Sequence, residues 1–434
     1  MLELAAPPAL DPQAATQAQI ERQVAHWVCA SLRLSLDDLA SREAWGHLEQ
    51  YLGISLRKHL GGVIERLHAE AAAMEALQRA ARSRSLQASA QVETHRKLVA
   101  FRHQYLRTET TLDFFADALA TRTNPRMGAL LRACDSLAHR SMTQLLDPLG
   151  KATPVALTYL EKGLGASILK AGLRLWDGGD ACPVAAIKVT RHNLLRPTAL
   201  IHEAGHQVAH ITRWNDELGA TLLQGLQDLG GASRELATIW ASWCSEIAAD
   251  AFAFAHTGFA SVAALHDVLA GHLPTVFRYT PGDPHPISYL RVLLGVECCR
   301  YFYGSGPWDA LALSWTRLHR AEQAPVDVKR IAQDSRALLK VVVQLTLDTP
   351  MRAFNGRPLR ALIAPERVSP AALNELDARI GPALFTSAHW LWSEPLRILG
   401  LTGLQLAAQP RNLKTILEQQ EQAMLRLGGA LQTV

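Results

Sequence analysis

"LIHEAGHQVAH", residues 200–210, decides how this 434-residue chain is read. It sets His202 and His206 four apart, with Glu203 directly after the first. On a helix, residues four apart sit one turn apart on the same face, so two imidazoles can reach one metal ion. Glu203 is rotated about 100° from His202. It flanks such an ion rather than binding it, which is where a base must stand to take a proton from a water molecule. The spacing is HExxH, a motif that is weak alone. With 17 histidines in the chain, chance supplies one in roughly a few per cent of such sequences. Its surroundings decide.

A catalytic zinc site takes three protein ligands and leaves one position open. His210 is nearby in sequence but lies about 12 Å along an unbroken helix from His202, too far to share one ion. Downstream, "WCSEIAADAFAFAH" (243–256) carries Glu246 and Asp250 four apart, again on one helical face. Their neighbours Ile239, Trp240, Trp243, Ile247, Phe252 and Phe254 make the helix apolar. Unpaired charge is costly to bury, so these acids need partners there. A metal and its histidines would supply them, with Glu246 as third ligand and Asp250 fixing the tautomer of a ligand histidine. The competing reading is an acidic stripe facing solvent.

HExxH followed on a later helix by ExxxD resembles the gluzincin zinc metallopeptidases. The matching residues are His202, Glu203 and His206, then Glu246 and Asp250. The longer HExxHxxGxxH form of metzincins is absent, since Ala209 and Thr212 stand at its last two positions. The resemblance covers about 120 residues, Pro183 to Arg300. It implies one Zn2+ per chain on His202, His206 and Glu246, Glu203 as general base, and Asp250 behind His202. It also implies that the strand before the HExxH helix holds extended substrate by backbone pairing. A His or Tyr after the glutamate helix then stabilises the oxyanion, and the candidates are His285, Tyr279 and Tyr289. His285 lies in "GDPHP", which reads equally as a rigid turn. Arg291 pairs with a buried acid such as Asp250 or Asp283, or binds a substrate carboxylate. The first use is favoured.

Outward from this core the chain reads as three parts. Residues 1–150 form a helical N-terminal domain. Leu60, Val63, Ile64, Leu67, Ala71, Met74, Leu77 and Ala81 alternate at three and four, an amphipathic stripe. A basic run follows, Arg79, Arg82, Arg84, His95, Arg96, Lys97, Arg102, His103 and Arg107. It reads first as a solvated face and second as a site for an acidic protein partner along 79–107. Pro125 opens another helix that ends near "DPLG" (147–150). Residues 151–306 hold the metallopeptidase core. After the turn "WDGGD" (176–180), the β-branched "PVAAIKVT" (183–190) reads as a strand. Pro197 stands at the first turn of the HExxH helix. A helix over about 234–256 is capped by Ser233 and stopped by Gly258. The Pro-rich loop "RYTPGDPHPIS" (278–288) leads into a further helix. Residues 307–434 form a helical C-terminal domain broken at prolines. The fold class is therefore mainly α: a zincin-like core with a small β-sheet, flanked by helical domains.

Bulk properties narrow the function. A formal net charge of +4 over this length gives no reason to expect nucleic acid. No run approaches the roughly 18 uninterrupted apolar residues that span a bilayer. The start, with Glu3 and Asp11 and no early basic residue, is unlike a secretory signal. The six cysteines are scattered without a CxxC pair, as in a reduced cytoplasmic protein. The expectation is a cytoplasmic zinc metallopeptidase acting on a peptide or protein substrate. The helical flanks would wall the cleft and restrict it to a specific protein partner. Two alternatives stay open: a zinc hydrolase of a non-peptide acyl substrate, and an inactive helical interaction protein with a structural metal site.

Overall fold

The computed structural model describes residues 11–83, 88–174, 180–408 and 410–430. Arg84 of the basic run and all but the last residue of "WDGGD" lie outside them. The chain is mainly helical, with one three-stranded sheet. Among the described residues no helix is long and apolar enough to cross a membrane, and all six cysteines are free thiols.

Two compact units form, one of 1–120 with 173–183, the other of 121–172 with 184–434. These limits differ from the boundaries at 150 and 306 read from the sequence. In the first unit, helices Pro12–Leu32, Leu56–Ser83 and Ala88–Thr121 share an apolar core. Leu67, Ala71 and Met74 of the expected stripe are buried in it against Val24, Val28 and Phe101. The described basic side chains at 79 and 95–107 face solvent, and Arg96 and Lys97 share Glu93.

In the second unit the helix Pro125–Leu146 packs against the HExxH helix Thr198–Thr212. Its start is set by Asn124, whose Oδ1 accepts from Met127 N at 3.0 Å, and by Pro125 behind that cap. Leu137 and Met142 of this helix join Trp240, Phe252, Val342 and Leu399 in one continuous core. The segments after 307 and the helix before 150 are therefore built into the same core as the HExxH helix. The sequence read both as helical but could not say which surfaces would share a core.

The sheet has strands β1 (Val155–Leu160), β2 (Ser167–Leu169) and β3 (Val184–Val189), in the order β1–β3–β2. β3 is the strand expected over 183–190. It pairs in parallel with β1 and antiparallel with β2. Both of its backbone edges are thus occupied. The pairing of substrate along the strand before the HExxH helix, implied by the resemblance, is not open to β3, and the open edge on that side belongs to β2.

The helix expected over 234–256 is two: Arg234–Ser242 and Cys244–Thr257. Ser233 caps the first, its Oγ accepting from Leu236 N at 3.2 Å, and Gly258 ends the second at φ 59°. The break falls at Trp243, with φ −91° and ψ 3°, and no Gly or Pro announces it. It puts Glu246 in the first turn of a new helix, where the helix dipole favours a carboxylate.

Candidate metal centre

The site is made where two helices come unusually close. A Cβ on Gly205 of HEAGH would meet Ala249 Cα at 3.0 Å and Phe252 Cβ at 3.1 Å. The missing side chain lets the HExxH helix lie against the Cys244–Thr257 helix, and the facing residues are the expected ligands. His202 Nε2 lies 3.4 Å from Glu246 Oε2, and His206 Nε2 lies 3.2 Å from Glu246 Oε1. Ligands bonded to zinc at about 2.0–2.1 Å in a tetrahedron stand about 3.3 Å apart, so these separations fit one such ion. Among the described residues this is the one group of three His, Cys, Asp or Glu side chains whose donor atoms converge this way, all within 4.8 Å. The group could bind a metal ion.

The outer ring nitrogens are also held. His202 Nδ1 lies 2.8 Å from Asp250 Oδ1, as the ExxxD spacing anticipates. His206 Nδ1 lies 3.3 Å from Ser245 Oγ. These contacts turn both Nε2 atoms inward, toward Glu246. Ser245 was not singled out from the sequence; its place directly before Glu246 was the only sign.

Arg291 closes the other side. Its Nε and Nη2 donate to Asp250 at 2.6 and 2.9 Å, and Nη2 also reaches Glu246 Oε2 at 2.9 Å. The pairing with Asp250 is the favoured sequence reading; the ion pair with Glu246 was not foreseen. Burial opposes charge on all of these groups, and their neighbours outweigh it. His202 is pushed up to about 10, against burial, by Asp250 and then Glu246. Asp250 is held down at about 2 because Arg291 and His202 overcome its burial. Glu246 is held well below the usual carboxylate range by both histidines and Arg291, again against burial. Glu246 and Asp250 are therefore anions facing inward, not a stripe in solvent.

Glu203 is only 7 % exposed and lines a cavity of about 260 Å³ together with His202, Glu246 and His285. Apolar side chains that include Phe254, Val262, Leu265 and Leu294 line the same cavity. Val342, Val343, Thr346 and Leu347, from the helical region after 307, also line it. His285 Nε2 lies 3.7 Å from Glu246 Oε1, and its Nδ1 lies 2.7 Å from Asp283 Oδ1. The "GDPHP" segment is both a turn, with His285 N donating to Asp283 at 3.0 Å, and a wall of the site. The two tyrosines sit elsewhere. Tyr289 is buried against Phe277, Tyr279 packs on Trp243, and neither lines the cavity. Of the three oxyanion candidates, geometry brings only His285 to the metal group. Asn193, just ahead of the HExxH helix, also lines the cavity, whereas the adjacent His192 is exposed. His210 lies on the same helix but outside the convergent group.

Compared with protein-family models, curated proteins and solved structures, the chain matches none of them.

Proposed function

We propose that this protein is a zinc-dependent hydrolase that cleaves peptide bonds, with His202, His206 and Glu246 as metal ligands. One observation carries the reading: both Nε2 atoms converge on the Glu246 carboxylate while Asp250 and Ser245 hold the two outer nitrogens. Glu203 adds what a purely structural metal site does not need, a carboxylate in the cavity wall outside the ligand set. When bound, zinc supplies a Lewis acid that lowers the pKa of water and polarises a carbonyl. Glu203 accepts the proton of the attacking water and returns it to the leaving amine. His285, oriented by Asp283, donates to the oxygen of the reacting carbonyl. Asp250 and Arg291 keep His202 and Glu246 aimed inward.

A second reading, hydrolysis of a non-peptide acyl substrate, draws support from the apolar depth of the cavity, which would receive an acyl chain as readily as a side chain. The test is Glu203→Gln, which keeps size and hydrogen bonding but not basicity. It should retain zinc and cleave a mixed peptide library at least about a hundredfold more slowly than wild type. Wild-type speed in the variant would remove Glu203 from the mechanism. An intact library alongside cleaved acyl esters would favour the second reading.

A further inference from the structure

We propose that Asn193 is a substrate-binding residue whose side-chain amide donates a hydrogen bond to a carbonyl oxygen of the substrate; the inference rests on the zinc hydrolase reading above. Asn193 ends the short turn Arg191–Asn193, which connects β3 to the HExxH helix. It is 3 % exposed and lines the same cavity as His202, Glu203 and Glu246. Two backbone bonds hold it in place. Asn193 N donates to Thr190 O at 3.0 Å, and Arg196 N donates to Asn193 O at 3.0 Å. Thr198 and Ala199, in the first turn of the HExxH helix, line the cavity too, and His202 stands one turn after Thr198. Asn193 is therefore carried on bonded backbone just ahead of the ligand helix, in the wall of the cavity that holds the metal group. Placement of this kind is what a binding group needs.

Its amide is left open. Asn193 Nδ2 is buried, and among the described residues it has no hydrogen-bond partner. Other polar side chains of the lining are committed. Ser261 Oγ donates to Gly258 O at 2.9 Å, Thr346 Oγ1 donates to Val342 O at 2.7 Å, and Arg291 is bound to Asp250 and Glu246. A buried donor without a partner costs stability, and nearly all such groups in folded proteins are paired. A ligand that brings an acceptor recovers this loss, and an analogue without the acceptor does not. The donor is a neutral N–H in a cavity with a largely apolar lining, which suits a neutral acceptor such as a peptide carbonyl. The reacting carbonyl belongs to the metal and His285, so the amide serves a second carbonyl. The substrate class is thus a peptide that continues past the cleaved bond by at least one further carbonyl.

The test is calorimetric binding of three non-hydrolysed hydroxamates of matched shape to the zinc-loaded full chain. They share an isobutyl-bearing carbon and differ in the group beside it. The first ends in an N-methylamide, the second in an ethyl ketone, which keeps the carbonyl without the N–H, and the third in a propyl group, which has neither. The first two should each bind about fivefold or more tighter than the third, the scale of one hydrogen bond. Asn193→Leu, which keeps the size of the side chain without its donor, should reduce both preferences to less than about twofold with zinc content unchanged. Asn193→Ala should do the same. Equal binding of all three probes to zinc-loaded wild type overturns the proposal and leaves the metal reading standing. So does a preference that survives both substitutions. A gain for the methylamide that the ketone does not share means that the substrate N–H is bound, and it too overturns the proposal. A chain that takes up no zinc overturns the metal reading and this inference with it.

Discussion

Glu246 faces His202, His206, Arg291 and His285 with two oxygens, and that arrangement sets what single substitutions should do. Glu246→Ala removes one of the three convergent side chains and leaves Arg291 paired with Asp250 alone. Zinc retained after dialysis should fall sharply. Asp250→Ala removes the partner of His202 Nδ1 and of Arg291 but none of the three convergent side chains, and zinc affinity should weaken by about 10–100-fold, less than after Glu246→Ala. Full zinc retention by Glu246→Ala would move the third ligand elsewhere. At this scale the sequence was informative where spacing on a single helix places side chains. His202 with His206, and Glu246 with Asp250, are each four apart. It was silent on Ser245, whose contact with His206 depends on tertiary proximity and whose residue type is too common for any pattern to mark it out.

At the scale of elements, the close approach at Gly205 carries the geometry of the site. Gly205→Ala gains helix propensity of about 1 kcal/mol. Against this, its Cβ would press on the backbone of Ala249, which cannot yield without moving the helix that bears Glu246. Overpacking of this kind costs about 1–3 kcal/mol. The variant should melt earlier and bind zinc more weakly; unchanged zinc affinity would mean the helices can separate without disturbing the ligands. His256, on the same helix as Glu246, gives a pH dependence. Burial holds its ring down at about 3, with a backbone bond at Ser141 opposing. In the unfolded chain it takes up a proton as pH falls through about 6.5, while in the fold it stays neutral to about 3. Stability should therefore drop below pH 6.5, by about 1.4 kcal/mol per unit. His256→Leu should unfold with a shallower slope between pH 6.5 and 5, and an unchanged slope in urea titrations would contradict this. Some elements escaped the sequence for different reasons. "VALTYL" of β1 carries the same short apolar signature as β3 and could have been found. β2 has three residues, too few for any alternation to register.

At the scale of the molecule, the surroundings of the cavity come from distant parts of the chain. Gly165 and Ala166 ahead of β2, the helices bearing His202 and Glu246, the loop with His285 and the helix Leu339–Leu347 all line it. Residues 307–434 were read from the sequence as helical, broken at prolines. Its share in the cavity wall was not, because apolar positions such as Val342 and Val343 read the same whether they meet a core or a pocket. The account as a whole stands on one claim, that the convergent His, His and Glu side chains hold a zinc ion. Anomalous diffraction at the zinc edge, on crystals of the protein purified with zinc, tests it most directly. The prediction is one peak per chain in bonding contact with His202 Nε2, His206 Nε2 and the Glu246 carboxylate. No peak at that point, or a peak held by other residues, would contradict it.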